Sequence, residues 1–359
     1  MITVADVRER LTEIRPLGSP RNIIDAGMVK RIDLREGQVV IGLELPAMPA
    51  QTSNLLVTDI RRAVGALEGV RAVHVHHETA AAPGAAHSPY GDLGPLPGVR
   101  HIVAVSSAKG GVGKSTVAAN LALALHRIGK RVGLMDSDVY GPSLPILFGL
   151  SGRPPMADDK RIVPLQKYGL QLMSVGFFVD ENAPVIWRGP MVMGLVRQFL
   201  KDVAWTDLDV LIVDMPPGTG DAQLTLVQQV PLAGGIVVTT PQEVATLDVG
   251  RGVAMFRQVN TPVLGIVENM SAYACPHCGH EEDIFGSGGA ARLAAELGIP
   301  LLGQIPLLGE ICRDGDAGTP IVVASPEHPV SHTFLDIAAA VLTAVEAQSQ
   351  GTQAPLIVG

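Results

Sequence analysis

The chain has 359 residues but only three cysteines, two of them close together. So few cannot build a disulfide framework for a protein of this length, and they suit a reducing compartment in which thiols bind metal or do redox work. Aromatic residues are scarce at 4%, while glycine is abundant at 40 residues; together these favour an α/β fold with many tight strand-to-helix turns over a β-sandwich. No run of about 18 apolar residues offers a transmembrane helix. The opening residues Met1 to Arg10 are too charged for a signal peptide, so a cytoplasmic protein with no membrane partner is expected. Basic residues do not dominate, and a net charge of −8 argues against a protein that coats nucleic acid. Also missing is an Asn-Lys-x-Asp guanine-reading motif, which leaves adenine as the expected base.

What is present is a phosphate-binding loop. Residues 108 to 116 read Ala-Lys-Gly-Gly-Val-Gly-Lys-Ser-Thr, between an apolar run at Ile102 to Val105 and a helical stretch from Thr116 to Leu125. Strand, glycine loop and helix in that order are the context such a loop requires. Gly110, Gly111, Val112 and Gly113 let backbone N–H groups converge into an anion nest closed by the positive end of the helix. Lys114 is expected on the β- and γ-phosphates of ATP, and the Ser115 hydroxyl on Mg²⁺, with Thr116 completing the motif. Ala108 replaces the usual first glycine, and its position at a strand end tolerates that. Lys109 is a second lysine at the mouth of the loop. That pattern belongs to deviant phosphate loops that close as dimers, where the extra lysine reaches the partner's phosphates as an arginine finger does.

Length predicts about two domains. The first, residues 1–80, reads as a small α+β domain: a helix over Val4 to Ile14, a strand over Gln38 to Leu45, a helix over Asn54 to Leu67 and a closing strand over Val70 to Val75. Residues 81–99 lack any hydrophobic period and carry repeated Pro, Gly and Ala, the composition of a linker. From 100 to 347, apolar strands at Ile102 to Val105, Val132 to Met135, Val210 to Val213, Ile236 to Thr239, Val263 to Val267 and Leu301 to Ile305 alternate with helical stretches. Continuous apolar strands of this kind predict a mainly parallel sheet covered by helices, with ligands beyond the carboxyl ends of the strands. Residues 348–359 read as a loose tail.

Two acids mark those strand ends. Asp214 closes Leu211-Ile212-Val213-Asp214 and is expected to support Mg²⁺ and its waters. Gly218, in the stiff segment that follows, is a candidate for an N–H contact to the γ-phosphate. Asp136 and Asp138 lie at i and i+2 and face one way in an extended segment; Asp138 is the candidate for orienting the attacking water, and Asp136 for an outer-shell contact with the metal. Turn or capping roles are the alternative for either acid. Asn269, at another strand end, has an amide able to read a base edge, with a capping role as its alternative.

Cys275 and Cys278 form a Cys-x-x-Cys turn in a loop beyond the strand that ends at Glu268. Two thiolates hold one edge of a tetrahedral metal or an iron-sulfur cluster and complete neither. The missing ligands come from His277, His280 or Cys312, or from the same loop of a second copy at a two-fold axis. The bridging cluster is the favoured reading, with a single-chain zinc site and a redox dithiol as alternatives; Cys312 reads as a buried or incidental thiol.

In combination, the stretches Lys109 to Thr116, Asp136 to Ser143, Trp187 to Met191, Asp214 to Asp221, Glu268 to Ser271 and Cys275 to Gly279 resemble the Mrp/ApbC-type iron-sulfur cluster carrier ATPases, P-loop NTPases of the deviant Walker A, SIMIBI type. The resemblance covers roughly residues 100 to 345. It implies a homodimer, dependent on ATP and Mg²⁺, that holds a 4Fe-4S cluster between paired cysteines and delivers it to apo iron-sulfur proteins alongside cluster assembly proteins. Residues 1 to about 80 resemble the SufT/PaaD-like domain of iron-sulfur maturation. Free-standing relatives carry a cysteine before a proline where this chain has Met48, a poor thiolate substitute, so the domain is expected to recognise partners. A MinD/ParA-like positioning ATPase with a structural zinc site is the alternative from another class, and an ATP-driven electron-transferring reductase is a third.

Overall fold

The computed structural model describes residues 3–14, 21–35, 38–45, 50–67, 69–70, 72–79, 94–178, 189–218, 221–275 and 277–351. Met48, residues 81–93 of the expected linker, Trp187, Arg188, Thr219, Gly220, Pro276 and residues 352–359 lie outside them. The chain divides into two compact units, Met1–Pro89 and Tyr90–Gly359.

In the first unit, α1 (Val4–Leu11) starts at a capping box in which the Thr3 hydroxyl accepts from the Asp6 N–H and the Asp6 carboxylate accepts from the Thr3 N–H. Three strands follow in the spatial order β1 (Val29–Arg35), β2 (Gln38–Leu45) and β3 (Ala72–Thr79), with α2 (Ala50–Gly65) between β2 and β3. The β2–β3 pair is parallel and β1–β2 antiparallel. Val7, Leu11, Ile41, Ile60 and Val64 close its core. Sequence patterning missed β1, because a register shift between Val29 and Arg31 breaks the two-residue alternation on which a strand is recognised.

The second unit is a nine-stranded sheet. Along the chain it contains β4 (Val99–Ser106), α3 (Lys114–Arg127), β5 (Val132–Asp136), α4 (Leu144–Leu147), β6 (Leu165–Lys167), β7 (Leu170–Ser174), α5 (Gly189–Asp202), β8 (Leu208–Asp214), α6 (Asp221–Gln229) and β9 (Gly234–Thr239). After these come α7 (Glu243–Gln258), β10 (Val263–Ala274), β11 (Glu281–Glu282), α8 (Gly289–Leu297), β12 (Leu301–Leu307), α9 (Gly309–Asp316), α10 (Ile321–Ala324) and α11 (Pro329–Gly351). The spatial order is β11-β10-β9-β4-β8-β5-β7-β6, with β12 also pairing β10. Only β6–β7 and β10–β11 pair antiparallel. The expected mainly parallel α/β sheet is therefore present, with two short antiparallel additions. The β6–β7 hairpin escaped the sequence reading because its turn residues are Tyr168 and Gly169, at φ of 51° and 78°; a tyrosine in that left-handed position is not a usual turn signal.

Helix α3 is buried almost all round, from Val117 to Leu125, between the sheet and α11. Helix α11 is long and apolar enough to cross a membrane by length and composition. It nevertheless places Val330, Phe334, Ile337, Ala338, Val341 and Val345 in the same core as α3. It also continues through Gly351, so the stretch expected to be loose from 348 begins as helix. At the other end of the unit, Leu96 is buried in the core and Gly98 packs its Cα against the Trp205 carbonyl, where a Cβ would come within 2.3 Å. The last residues assigned to the linker thus belong to the folded unit, a single apolar anchor that no periodicity could reveal.

Candidate nucleotide site and cysteine hairpin

The central strands β4, β5 and β8 are parallel and in register, so their carboxyl ends bring Ser106, Asp136 and Asp214 to one edge of the sheet. Asp214 is the register partner of both Asp136 and Val105. The chain leaves β4 through Ser107, whose hydroxyl donates to the Lys109 carbonyl at 2.9 Å, and wraps through the glycine loop into α3. Gly111 and Gly113 take φ of 81° and 78°, which side-chain-bearing residues rarely adopt. Ala108 does not need that conformation, in line with the tolerance expected of it.

Lys114 opens α3 and is 6% exposed. Its ammonium donates to Asp214 Oδ1, a fully buried carboxylate, and to Ser115 Oγ at 3.1 Å. The two groups expected to share the nucleotide's phosphates and metal are thus in contact with each other. The second oxygen, Asp214 Oδ2, is buried without a partner, as are Asp138 Oδ1, Ser106 Oγ and Ser143 Oγ. Unpaired buried oxygens are costly, and two of these belong to carboxylates that interact with Lys114. They are also a donor set that suits a hydrated magnesium ion and a triphosphate, since Mg²⁺ keeps several waters and takes few carboxylates.

The Asp136 carboxylate is held on both oxygens by the protein. Its Oδ1 accepts from the Asp138 N–H at 3.0 Å, and its Oδ2 accepts from the N–H groups of Ser143 and Leu144 and from the Ser174 hydroxyl. It therefore anchors the loop 137–144 that carries Asp138. Burial, then the charge of Asp214, pushes Asp136 up to about 7. Asp138 is raised by burial as well, against the pull of Lys114 and of the Tyr140 and Gly141 N–H groups. Ser174, at the end of a strand the sequence reading missed, gave no motif signal. Gly218, expected near the γ-phosphate, instead donates its N–H to the Ser107 carbonyl at 2.9 Å. Nearby, Gln223 donates its side-chain amide to the Pro216 carbonyl.

Asn269 contacts the loop directly. Its Nδ2 donates to the Val112 carbonyl at 2.9 Å, and a Cβ on Gly113 would lie 2.2 Å from that nitrogen. The amide braces the phosphate loop and stands at the wall of a neighbouring cavity. This cavity, of about 210 Å³, is lined by Gly113, Thr116, Met270, Leu307, Ile311 and Cys312 among others. It is mostly apolar and adjoins the start of α3, which suits a flat base next to bound phosphates. Lys109 is exposed at the loop mouth and makes no ion pair with any described residue.

Beyond β10 the chain makes a short hairpin into β11, paired through Tyr273 with Glu282 and Ala274 with Glu281. Cys275 and Cys278 occupy its tip. The Cys275 N–H donates to the His280 carbonyl at 2.9 Å, and the Gly279 N–H to the Cys275 carbonyl at 2.8 Å, with Gly279 at φ of 69°. This tight turn aims the His277 and Cys278 N–H groups at the Cys275 sulfur; they, with the Cys278 thiol, hold the Cys275 thiol below its ordinary range. Backbone N–H groups on sulfur favour the thiolate, the form that ligates metal. Cys275 is half-buried, while Cys278, His277 and His280 are exposed. Cys312 is exposed, not buried, in α9 at the wall of the cavity described above, and among the described residues no group of three His, Cys, Asp or Glu side chains is arranged to hold a metal ion.

Similarity to known proteins follows both units. The chain is 48% identical over 281 residues to an iron-sulfur cluster carrier protein of Pseudomonas fragi, covering 78% of this chain and 97% of that one. A Synechocystis iron-sulfur cluster carrier protein is 44% identical over 336 residues, 91% of this chain and 94% of the relative. The mouse iron-sulfur cluster transfer protein NUBPL is 48% identical over 250 residues, 69% and 78% of the two chains. Among solved structures, a nucleotide-binding protein of Archaeoglobus fulgidus in complex with ADP superposes with a TM-score of 0.58 at 39% identity, covering 66% of this chain and 92% of that one. The cell division ATPase MinD of Pyrococcus furiosus, at 22% identity and a TM-score of 0.53, over 68% of this chain and 98% of that one, shares the fold. Residues 4–76 match the iron-sulfur cluster assembly protein domain, and with residues 98–342 matching its defining domain, the chain belongs to the NUBPL iron-transfer P-loop NTPase family.

Proposed function

We propose that this chain binds and hydrolyses ATP as a homodimer, holds a 4Fe-4S cluster between the Cys275 and Cys278 pairs of two copies, and transfers that cluster to apoproteins. The observation that carries the reading is the cysteine hairpin: two thiols at a solvent-facing tip, one already supplied with N–H donors, and no third ligand beside them among the described residues. Four-thiolate ligation is the usual requirement of a 4Fe-4S cluster, and a two-fold axis supplies it by pairing two such tips. An exposed tip also suits cargo that must be surrendered. The relatives named as carriers of iron-sulfur clusters support the same reading.

At the nucleotide site, the loop N–H groups from Gly110 to Ser115 hold the phosphates. Lys114, now on Asp214 and Ser115, would reach the β- and γ-phosphates, and Asp214 and the Ser115 hydroxyl would hold the hydrated magnesium ion. Magnesium, when bound, neutralises charge developing on the phosphates. Asp138 Oδ1, now without a partner, orients the attacking water, and Asp136 holds the Asp138 loop in place. Lys109 reaches the phosphates of the second copy. The N-terminal domain recognises recipient or assembly proteins, with Met48 unsuited to hold the cluster.

Anaerobic reconstitution tests this directly. About four iron and four sulfide per dimer are expected, lost in Cys275→Ala and Cys278→Ala and kept in Cys312→Ser. The loaded protein should activate an apoprotein that needs a 4Fe-4S centre. One zinc per monomer without sulfide, unchanged when the dimer is disrupted, would replace the carrier reading with a structural zinc site.

A further inference from the structure

Strand β10 touches both sites. Upstream it is fixed: it pairs β9 through Glu268 with Thr239 and β12 through Asn269 with Ile305. Buried Glu268 accepts from the Gln304 amide at 2.6 Å and from the Ala290 N–H at the start of α8 at 3.1 Å. Pairing to β9 ends there, and the register with β12 breaks between Asn269 and Tyr273. At the break stands Met270 at φ of 59°, a left-handed conformation in the middle of a strand for a residue with a long side chain. Such a conformation is strained and persists only where surrounding contacts enforce it. One of those contacts is visible: Met270 forms part of the cavity wall beside Gly113 and Thr116. Its neighbour Asn269 is hydrogen-bonded to the phosphate loop through Val112. Downstream the strand runs, over no more than about 20 Å of extended chain, into Cys275.

We infer that Asn269 and Met270 are positioning residues that form a joint in β10, through which occupancy of the phosphate loop and its adjoining cavity repositions the Cys275–Cys278 hairpin. A nucleotide that fills the nest shifts the Val112 carbonyl to which Asn269 is tied, and a base in the cavity presses on Met270. Both act where β10 carries its left-handed Met270 and its pairing with β12 lapses, to resume at Tyr273 with Leu307. The rigid part of the strand above the joint stays with the core, so the displacement goes to the thiols. The Glu268 contacts supply the fixed end against which the joint works.

The inference rests on nucleotide binding at the loop and not on the identity of the cargo, because it is read on the thiols of the cluster-free protein. Full-length apoprotein is treated with iodoacetamide with and without saturating Mg-ADP, saturation being set by calorimetry, and alkylation is followed at each cysteine by mass spectrometry. In the unmodified protein ADP should change the Cys275 and Cys278 rates by about fivefold or more, the lower end of ordinary coupling between sites. Cys312, in the cavity wall, should be shielded directly and serves as the occupancy gauge. In Asn269→Ala, and in Met270→Gly, where glycine adopts the positive φ without strain, the ratio of rates with and without ADP should fall close to one while Cys312 stays shielded. A merely structural defect would move both rates together and leave their ratio alone. Where Asn269→Ala fails to fold or to bind ADP, Met270→Gly decides. Absence of an ADP effect in the unmodified protein, or an undiminished ratio in Met270→Gly, overturns the inference. Loss of the cluster reading in the reconstitution test would leave these rates untouched, so the two can fail separately.

Discussion

The phosphate loop and the cysteine hairpin are built on opposite terms. At the loop, Lys114, Asp214, Asp136 and Asp138 are buried, and the sheet itself holds the carboxylates at the ends of adjacent strands. At the hairpin, two thiols stand at the tip of a two-pair ladder, with their remaining neighbours in solvent. At the loop, Lys114 offsets Asp214, and N–H donors hold Asp136, so the site is inseparable from the fold. The second place contributes almost nothing to the fold and is chemically incomplete by itself. A nucleotide site that the core depends on is one whose occupancy the core can sense; a cysteine pair with no structural duty can take up and release cargo without unfolding anything.

The largest effect expected from that contrast is at Lys114. Lys114→Ala removes the one cation that, among the described residues, contacts Asp214, so nucleotide affinity measured by calorimetry should fall at least about 30-fold, the lower end for truncating one partner of a buried charge pair. The nucleotide-free protein should also lose roughly 3–5 kcal/mol of stability in urea unfolding, because a buried carboxylate is left uncompensated. Cys278→Ala, by comparison, should stay within about 0.5 kcal/mol of the parent, as exposed positions do. Equal stability of the two variants would erase the distinction between a site within the fold and one displayed upon it.

Hydrolysis sharpens the comparison, because it asks whether the buried site is complete within one chain. Asp138→Ala should still bind ATP but turn it over about 100-fold more slowly or worse, as loss of a water-orienting base does. Lys109→Ala should act likewise if it serves the second copy's phosphates. Dimers mixed from these two variants then retain one site with an intact Asp138 and an intact Lys109 facing it, and should recover part of the activity. No recovery in verified mixed dimers would mean that Lys109 does not act across the interface.

Most of the buried site was legible in the sequence and its internal wiring was not. The glycine loop, Lys114 and the strand-end acids stand at spacings dictated by the parallel sheet, so the strand-loop-helix order alone places them together. The role of Asp136 could not be read, since its partners Ser143, Leu144 and Ser174 come from a turn and from a strand whose hairpin lacked a recognisable turn signal. Gly218 and Asn269 were recognised as near the loop, but hydrogen bonds to Ser107 and Val112 give them bracing duties that depend on three-dimensional proximity. The hairpin was legible as a Cys-x-x-Cys turn, while the N–H groups directed at Cys275 follow from the backbone of the turn, which spacing does not specify. In the small unit the sequence hid β1 behind a bulge, and Leu96 showed that one buried side chain can move a domain edge.

The smallest effect lies in the pH dependence of stability, and its sign separates the two regions. Asp136 is raised from an ordinary carboxylate value of 3.8 to about 7, first by burial and then by Asp214. Between those values the folded chain holds a proton that the unfolded chain has released. Stability varies with pH as the protons bound by the unfolded state minus those bound by the folded state, a negative difference in this window. The contribution is therefore fully present below the unfolded value, declines as pH rises toward about 7, and is level above it. Asp138, also raised by burial, acts in the same direction. Asp136→Asn removes one of these titrations, so its urea midpoint should fall less between about pH 5 and about pH 8 than that of the parent. Cys278→Ala, altered only at the exposed tip, should retain the parent's slope. If Asp136→Asn keeps that slope as well, the buried acid is already ionised across the range, and the charge of Lys114, not the proton, is what holds the Asp136 and Asp214 pair together.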